Sequence, residues 1–165
     1  MDAMKRILVL GVGNILFTDE GLGVRAVGML EETYDFSDNV TLMDGGTLGS
    51  RLMEPIMESD VLIVADAVLG NDPPGSLYRL VGDDLRKSLA FKNSMHQTDL
   101  VDTLIQCDIL GNRPDAVVIG MEPTDYHTMC VEVSDATLEK LPAMVTAVLA
   151  EIEKAGGTCT ARKQG

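Results

Sequence analysis

Residues 7–24 read ILVLGVGNILFTDEGLGV: an apolar run, a Gly-Val-Gly-Asn turn, then the start of a helical pattern. A strand that is apolar on both faces needs helices covering both, so this opening unit directs the chain towards a layered α/β fold. A Gly-rich turn leading into a helix normally faces a phosphate, with backbone N–H groups and the positive helix end turned to the anion. Here Asp19 and Glu20 stand at the helix start. Two carboxylates there repel a phosphate and suit a cation, and carboxylate with imidazole is a common donor set for borderline metals.

The rest of the chain repeats the strand and helix alternation. Residues 61–68, VLIVADAV, form a second near-continuous apolar run, and residues 40–43 and 116–121 are shorter β-rich runs. Residues 20–33 place Val24, Val27 and Leu30 on one helical face, and residues 48–58 do the same with Leu48, Leu52 and Ile56. Residues 76–81 alternate after the turn at Asn71 to Gly75, which predicts an edge strand of antiparallel direction. Leu100, Leu104 and Ile105 mark a helix ending at Gly111. A last helix carries Leu138, Leu141, Val145, Val148 and Ile152, with Pro142 expected to kink or split it and Gly156 and Gly157 to stop it. The expected fold is a three-layer α/β/α sandwich around a mostly parallel, twisted five-stranded sheet with one antiparallel edge strand. All 165 residues fit one domain, with 158–165 expected to trail as a loose tail.

Charge narrows the partners. Lys and Arg total 13 against 26 Asp and Glu, a formal net charge of −13. That field repels nucleic acid and anionic lipid and favours neutral, basic or metal-bearing partners. No stretch reaches the about 20 apolar residues of a membrane helix. Cys107, Cys130 and Cys159 are odd in number, widely spaced and outside any CxxC pattern, as expected of reduced thiols in a cytoplasmic protein.

In an α/β sheet of this kind ligands bind beyond the carboxyl ends of the strands. Glu20 follows the first strand and Asp66 ends the apolar run VLIVADAV, so both belong to that edge. An unpartnered carboxylate in a buried run costs several kcal/mol, so Asp66 needs compensation, either from backbone amides as a loop cap or from a bound cation. Ser94 and Gln97 have capping-box spacing, which puts His96 in the first turn of the next helix, where the helix dipole keeps imidazole neutral and able to coordinate. His127 has no such setting. Glu20, Asp66 and His96 thus form a two-carboxylate, one-imidazole set with positions left for water or substrate, the pattern of a working metal site. On residues alone the chain reads as a metal-assisted hydrolase or a noncatalytic metal-binding module. A nucleotide-binding module is the other alternative, weakened because Leu16 stands where GxGxxG needs its third glycine.

Four motifs in order say more: GVGNILFTDEGLGV, DGGTLG at 44–49, VADAV at 64–68 and MHQTDL at 95–100. Together they resemble the hydrogenase maturation proteases, endopeptidases that trim the C-terminus of the nickel-iron hydrogenase large subunit. The resemblance implies that Glu20, Asp66 and His96 are the metal-binding residues. It also implies that they grip a nickel ion carried by the precursor large subunit, so that nickel arrives with the substrate, although other divalent ions can occupy the site in vitro. Catalysis falls to Asp66 and Glu20, with Asp66 suited to act as general base on a water while the ion polarises the scissile carbonyl. Asp44, Gly45, Gly46 and Thr47, with Gln97, are the candidate substrate contacts, taking the peptide in extended form. Glu122 and Pro123 close the last strand and are expected to line the pocket.

Overall fold

The computed structural model describes residues 4–12, 21–46, 53–87, 100–124 and 134–162. The central sheet has the order β3-β1-β4-β6-β5. Its strands are β1 (Ile7–Val12), β3 (Val40–Gly46), β4 (Val61–Ala67), β5 (Leu77–Leu80) and β6 (Asp115–Met121). β3, β1, β4 and β6 run parallel, and β5 pairs antiparallel with β6 at the edge. The expected fold class is therefore the observed one.

Strand side chains alternate between two helical layers. On one face Val9, Ile63 and Ile119 pack with α1 (Leu22–Thr33) and α4 (Asp135–Ala155) through Val27, Leu30, Leu141 and Val148. On the other, Leu8, Leu10, Val64 and Val118 meet Ile56 of α2 (Met53–Glu58), Leu104 of α3 (Leu100–Leu110) and Leu85 of the 3-10 helix Gly82–Lys87. Both layers exclude water from β1 and β4, which explains why those strands lack polar alternation.

Three expectations need correction. α1 buries Leu22, Gly23, Ala26, Val27 and Leu30, whereas Val24 is only half-buried. α4 is one element through Pro142, and Leu138 is exposed because the buried face runs through Thr137, Leu141, Met144, Val148 and Glu151. Pro142 lies on the exposed side, where water can take the carbonyl its missing N–H would have bonded. Finally, the tail is not wholly loose: β7 (Cys159–Ala161) pairs antiparallel with β2 (Tyr34–Phe36), and Arg162 N–H donates to the Thr33 carbonyl. Among the described residues no helix is long and apolar enough to cross a membrane.

Candidate active site

The chain passes from β1 to β3 on one side and from β3 to β4 on the other, which puts the topological switch between β1 and β4. A crevice opens at such a point beyond the carboxyl ends. α1 starts directly over it: a Cβ on Gly23 would lie 2.1 Å from the Ala65 carbonyl oxygen and 2.8 Å from that of Val12. Only a glycine lets the helix backbone come so close to the ends of β1 and β4. Glu20 lies outside the described residues, and the described chain resumes next to it at Gly21.

Asp66 sits at the end of β4, in register with Gly120 of β6, and is completely buried. Its Oδ1 accepts the N–H of Ala67 at 2.8 Å, which fixes the orientation of the carboxylate. Part of the burial cost is thereby met by a main-chain donor, as a loop-capping role requires. The expected imidazole, His96, lies outside the described residues together with Gln97, as does His127. α3 begins four positions after His96, at Leu100, and leads into β6. Among the described residues no three His, Cys, Asp or Glu side chains come together.

Asp44 and Gly45 are described and Thr47 is not. Gly11 pairs with Asp44 but Val12 pairs with Gly46, so Gly45 is an extra residue, a bulge at the carboxyl end of β3. A Cβ there would meet Leu10 Cδ1 at 2.9 Å. Bulges at sheet edges re-aim the chain, and this one lies in the DGG motif.

Glu122, expected to line the pocket, has a more definite use. It is 5% exposed, and its carboxylate accepts Gly70 N–H at 3.2 and 3.1 Å and Asp72 N–H at 3.0 Å. The Tyr78 hydroxyl donates to Asp72 Oδ2 at 2.8 Å. Burial, this hydrogen bond to Asp72 and the nearby Glu122 carboxylate push the Tyr78 hydroxyl up to about 12. The sequence signal was available: Glu122, like Asp66, is an acid at the end of an apolar strand. Cys107 and Cys159 are free thiols, and burial pushes both up, away from thiolate character; Cys130 lies outside the described residues. The two described thiols therefore offer no activated nucleophile.

A family model described as hydrogenase maturation protease matches residues 24–151. The chain belongs to the hydrogenase maturation protease family. The Rhizobium leguminosarum bv. viciae hydrogenase expression/formation protein HupD is 38% identical over 162 residues, which is 97% of this chain and 80% of that protein. The Escherichia coli (strain K12) hydrogenase 2 maturation protease is 37% identical over 150 residues, 88% of this chain and 92% of that protein. In structure, the hydrogenase maturating endopeptidase HybD from E. coli superposes with a TM-score of 0.84 at 34% identity, covering 95% of this chain and 98% of that one. This protease is thus a hydrolase of hydrogenase maturation.

Proposed function

We propose that this protease removes the C-terminal extension of the nickel-loaded precursor of a nickel-iron hydrogenase large subunit, recognising it through the nickel the precursor carries. The observation that carries the proposal is Asp66, an oriented and fully buried carboxylate at the end of β4, beside the switch point over which α1 makes its closest approach. Glu20, Asp66 and His96 are the ligands we assign to the incoming ion. Two carboxylates and an imidazole suit a borderline divalent cation, and three ligands leave room for the donors the substrate brings.

For cleavage we assign Asp66 as general base and Glu20 as the second carboxylate of the reaction. Water adds to the scissile carbonyl carbon and its proton passes to Asp66; the C–N bond then breaks as a proton reaches the leaving amine. Asp44, Gly45, Gly46 and Thr47, with Gln97, are assigned to the extended substrate peptide, which the bulge at Gly45 supports by turning the end of β3. A net charge of −13 suits a metal-bearing partner and no nucleic acid or anionic membrane, and widely spaced thiols suit the cytoplasm.

The test is to incubate the protein with nickel-loaded and nickel-free precursor and weigh the large subunit by mass spectrometry. The loaded precursor is expected to lose the mass of its extension and the nickel-free one to keep it. An unchanged mass in both would overturn the proposal, and cleavage of both would remove nickel from recognition.

A further inference from the structure

We infer that Glu122 is a positioning residue for the cleavage site, acting through the 68–76 loop to hold the end of β4 and so the Asp66 carboxylate in one orientation. The inference rests on the assignment of Asp66 made above. Glu122 follows β6, the strand paired with β4, and grips the loop leaving β4 with both its side chain and its main chain. Its carboxylate takes the amides of Gly70 and Asp72, its carbonyl accepts Gly75 N–H at 2.8 Å, and its own N–H donates to the Ser76 carbonyl at 2.9 Å. One residue earlier, the Met121 carbonyl accepts Val68 N–H at 3.0 Å. Gly120, in register with Asp66, makes room for Val68, whose Cγ2 would stand 2.3 Å from a Cβ at that position.

The loop is therefore tied at 68, 70, 72, 75 and 76, and the Glu122 side chain supplies the two ties in its middle. No other described side chain accepts the amides of Gly70 or Asp72. The Glu122 carboxylate is itself buried although Gly70 and Asp72 are exposed, so its two amide bonds satisfy a buried charge and anchor the exposed middle of the loop to the sheet edge. Asp66 is oriented by the N–H of Ala67, the last residue of β4, and the loop leaves the strand at the next residue, Val68, so how the loop is held bears on the strand end that orients the carboxylate.

Two measurements separate positioning from the proposed reaction. In the apo protein, NMR reads amide exchange at Gly70 and Asp72 and the Asp66 side-chain carboxyl carbon resonance, with neither metal nor substrate required. Glu122→Ala is expected to speed exchange of those two amides by at least about 10-fold, leave β1 amides protected, and move the Asp66 resonance. Glu122→Asp keeps the charge but is too short to reach both amides and is expected to do the same; it serves if the alanine variant does not fold. Glu122→Gln keeps one acceptor oxygen and is expected to recover part of the protection. In processing assays the alanine and aspartate variants are expected to lose about 100-fold in kcat with KM changed less than about 3-fold, the glutamine variant lying between them and the parent. An Asp66 resonance that stays in place while the amides exchange freely would overturn the inference, as would full kcat in Glu122→Asp. A parent protein that cuts no precursor would remove the proposed function, and the Asp66 resonance would still decide whether Glu122 positions it.

Discussion

Asp60 and Glu151 lie towards the amino ends of the parallel strands, and each is paired with an arginine. Arg6 donates to Asp60 from its main chain at 2.8 Å and from its guanidinium at 3.4 Å, and these bonds hold the Asp60 carboxyl below its ordinary range. Arg79 Nε donates to Glu151 at 2.5 Å, which in turn raises the arginine. At the carboxyl ends the acids are held differently: Asp66 by the N–H of Ala67 and Glu122 by the amides of Gly70 and Asp72. An arginine brings a positive charge to the carboxylate it binds, whereas a main-chain amide is a neutral donor that orients one. The same residue types thus meet arginine side chains at one end of the sheet and main-chain amides at the other.

The largest expected effect comes from removing charge at each end in turn. Asp66→Asn keeps the size and an acceptor for Ala67 N–H, and is expected to lower processing by about 1,000-fold or more. Glu151→Gln should leave kcat alone and cost about 1 kcal/mol in denaturant unfolding, a small figure because the Arg79 side chain is 50% exposed and solvent screens the pair. Comparable losses of activity in both variants would erase the distinction between the two ends.

Next in size is the close approach of α1 to the ends of β1 and β4. Gly23→Ala puts a methyl 2.1 Å from a backbone oxygen and is expected to destabilise by about 2–4 kcal/mol, measured by urea unfolding. Gly28→Ala, five residues along the same helix with nothing within 4 Å of the new methyl, is expected to stabilise by about 0.5–1 kcal/mol. Equal effects would mean that α1 does not bear on the ends of β1 and β4.

The smallest effect is a titration. Tyr78 is raised from the ordinary 10.0 to about 12. Its protonated form is therefore the one the folded state favours, so its contribution is complete below pH 10 and is lost as pH rises through about 12. Ultraviolet titration is expected to show one tyrosine ionising late, absent in Tyr78→Phe. Ordinary titration of every tyrosine would detach the Asp72 side of the loop from Tyr78.

The strands were legible because each is an apolar run long enough to be covered on both faces. β3 is longer than the apolar run 40–43 suggested, since Asp44, Gly45 and Gly46 continue the strand through a bulge. The β2 and β7 pair could not be read, because Phe36 and Cys159 are brought together only by the completed fold. The rotation of α4 that exposes Leu138 and buries Glu151 depends on where α1 and Arg79 lie, which periodicity does not specify. In the site, Asp66 was legible as an acid interrupting buried residues. The work of Glu122 was not, because its partners are main-chain amides of a distant loop and any sequence supplies amides.

The most direct test is a crystal soaked in a divalent ion and measured at that metal's absorption edge. One anomalous peak within bonding distance of Asp66, Glu20 and His96 is expected. A peak elsewhere, or none at Asp66, would contradict a cation-gripping site at the carboxyl edge of the sheet.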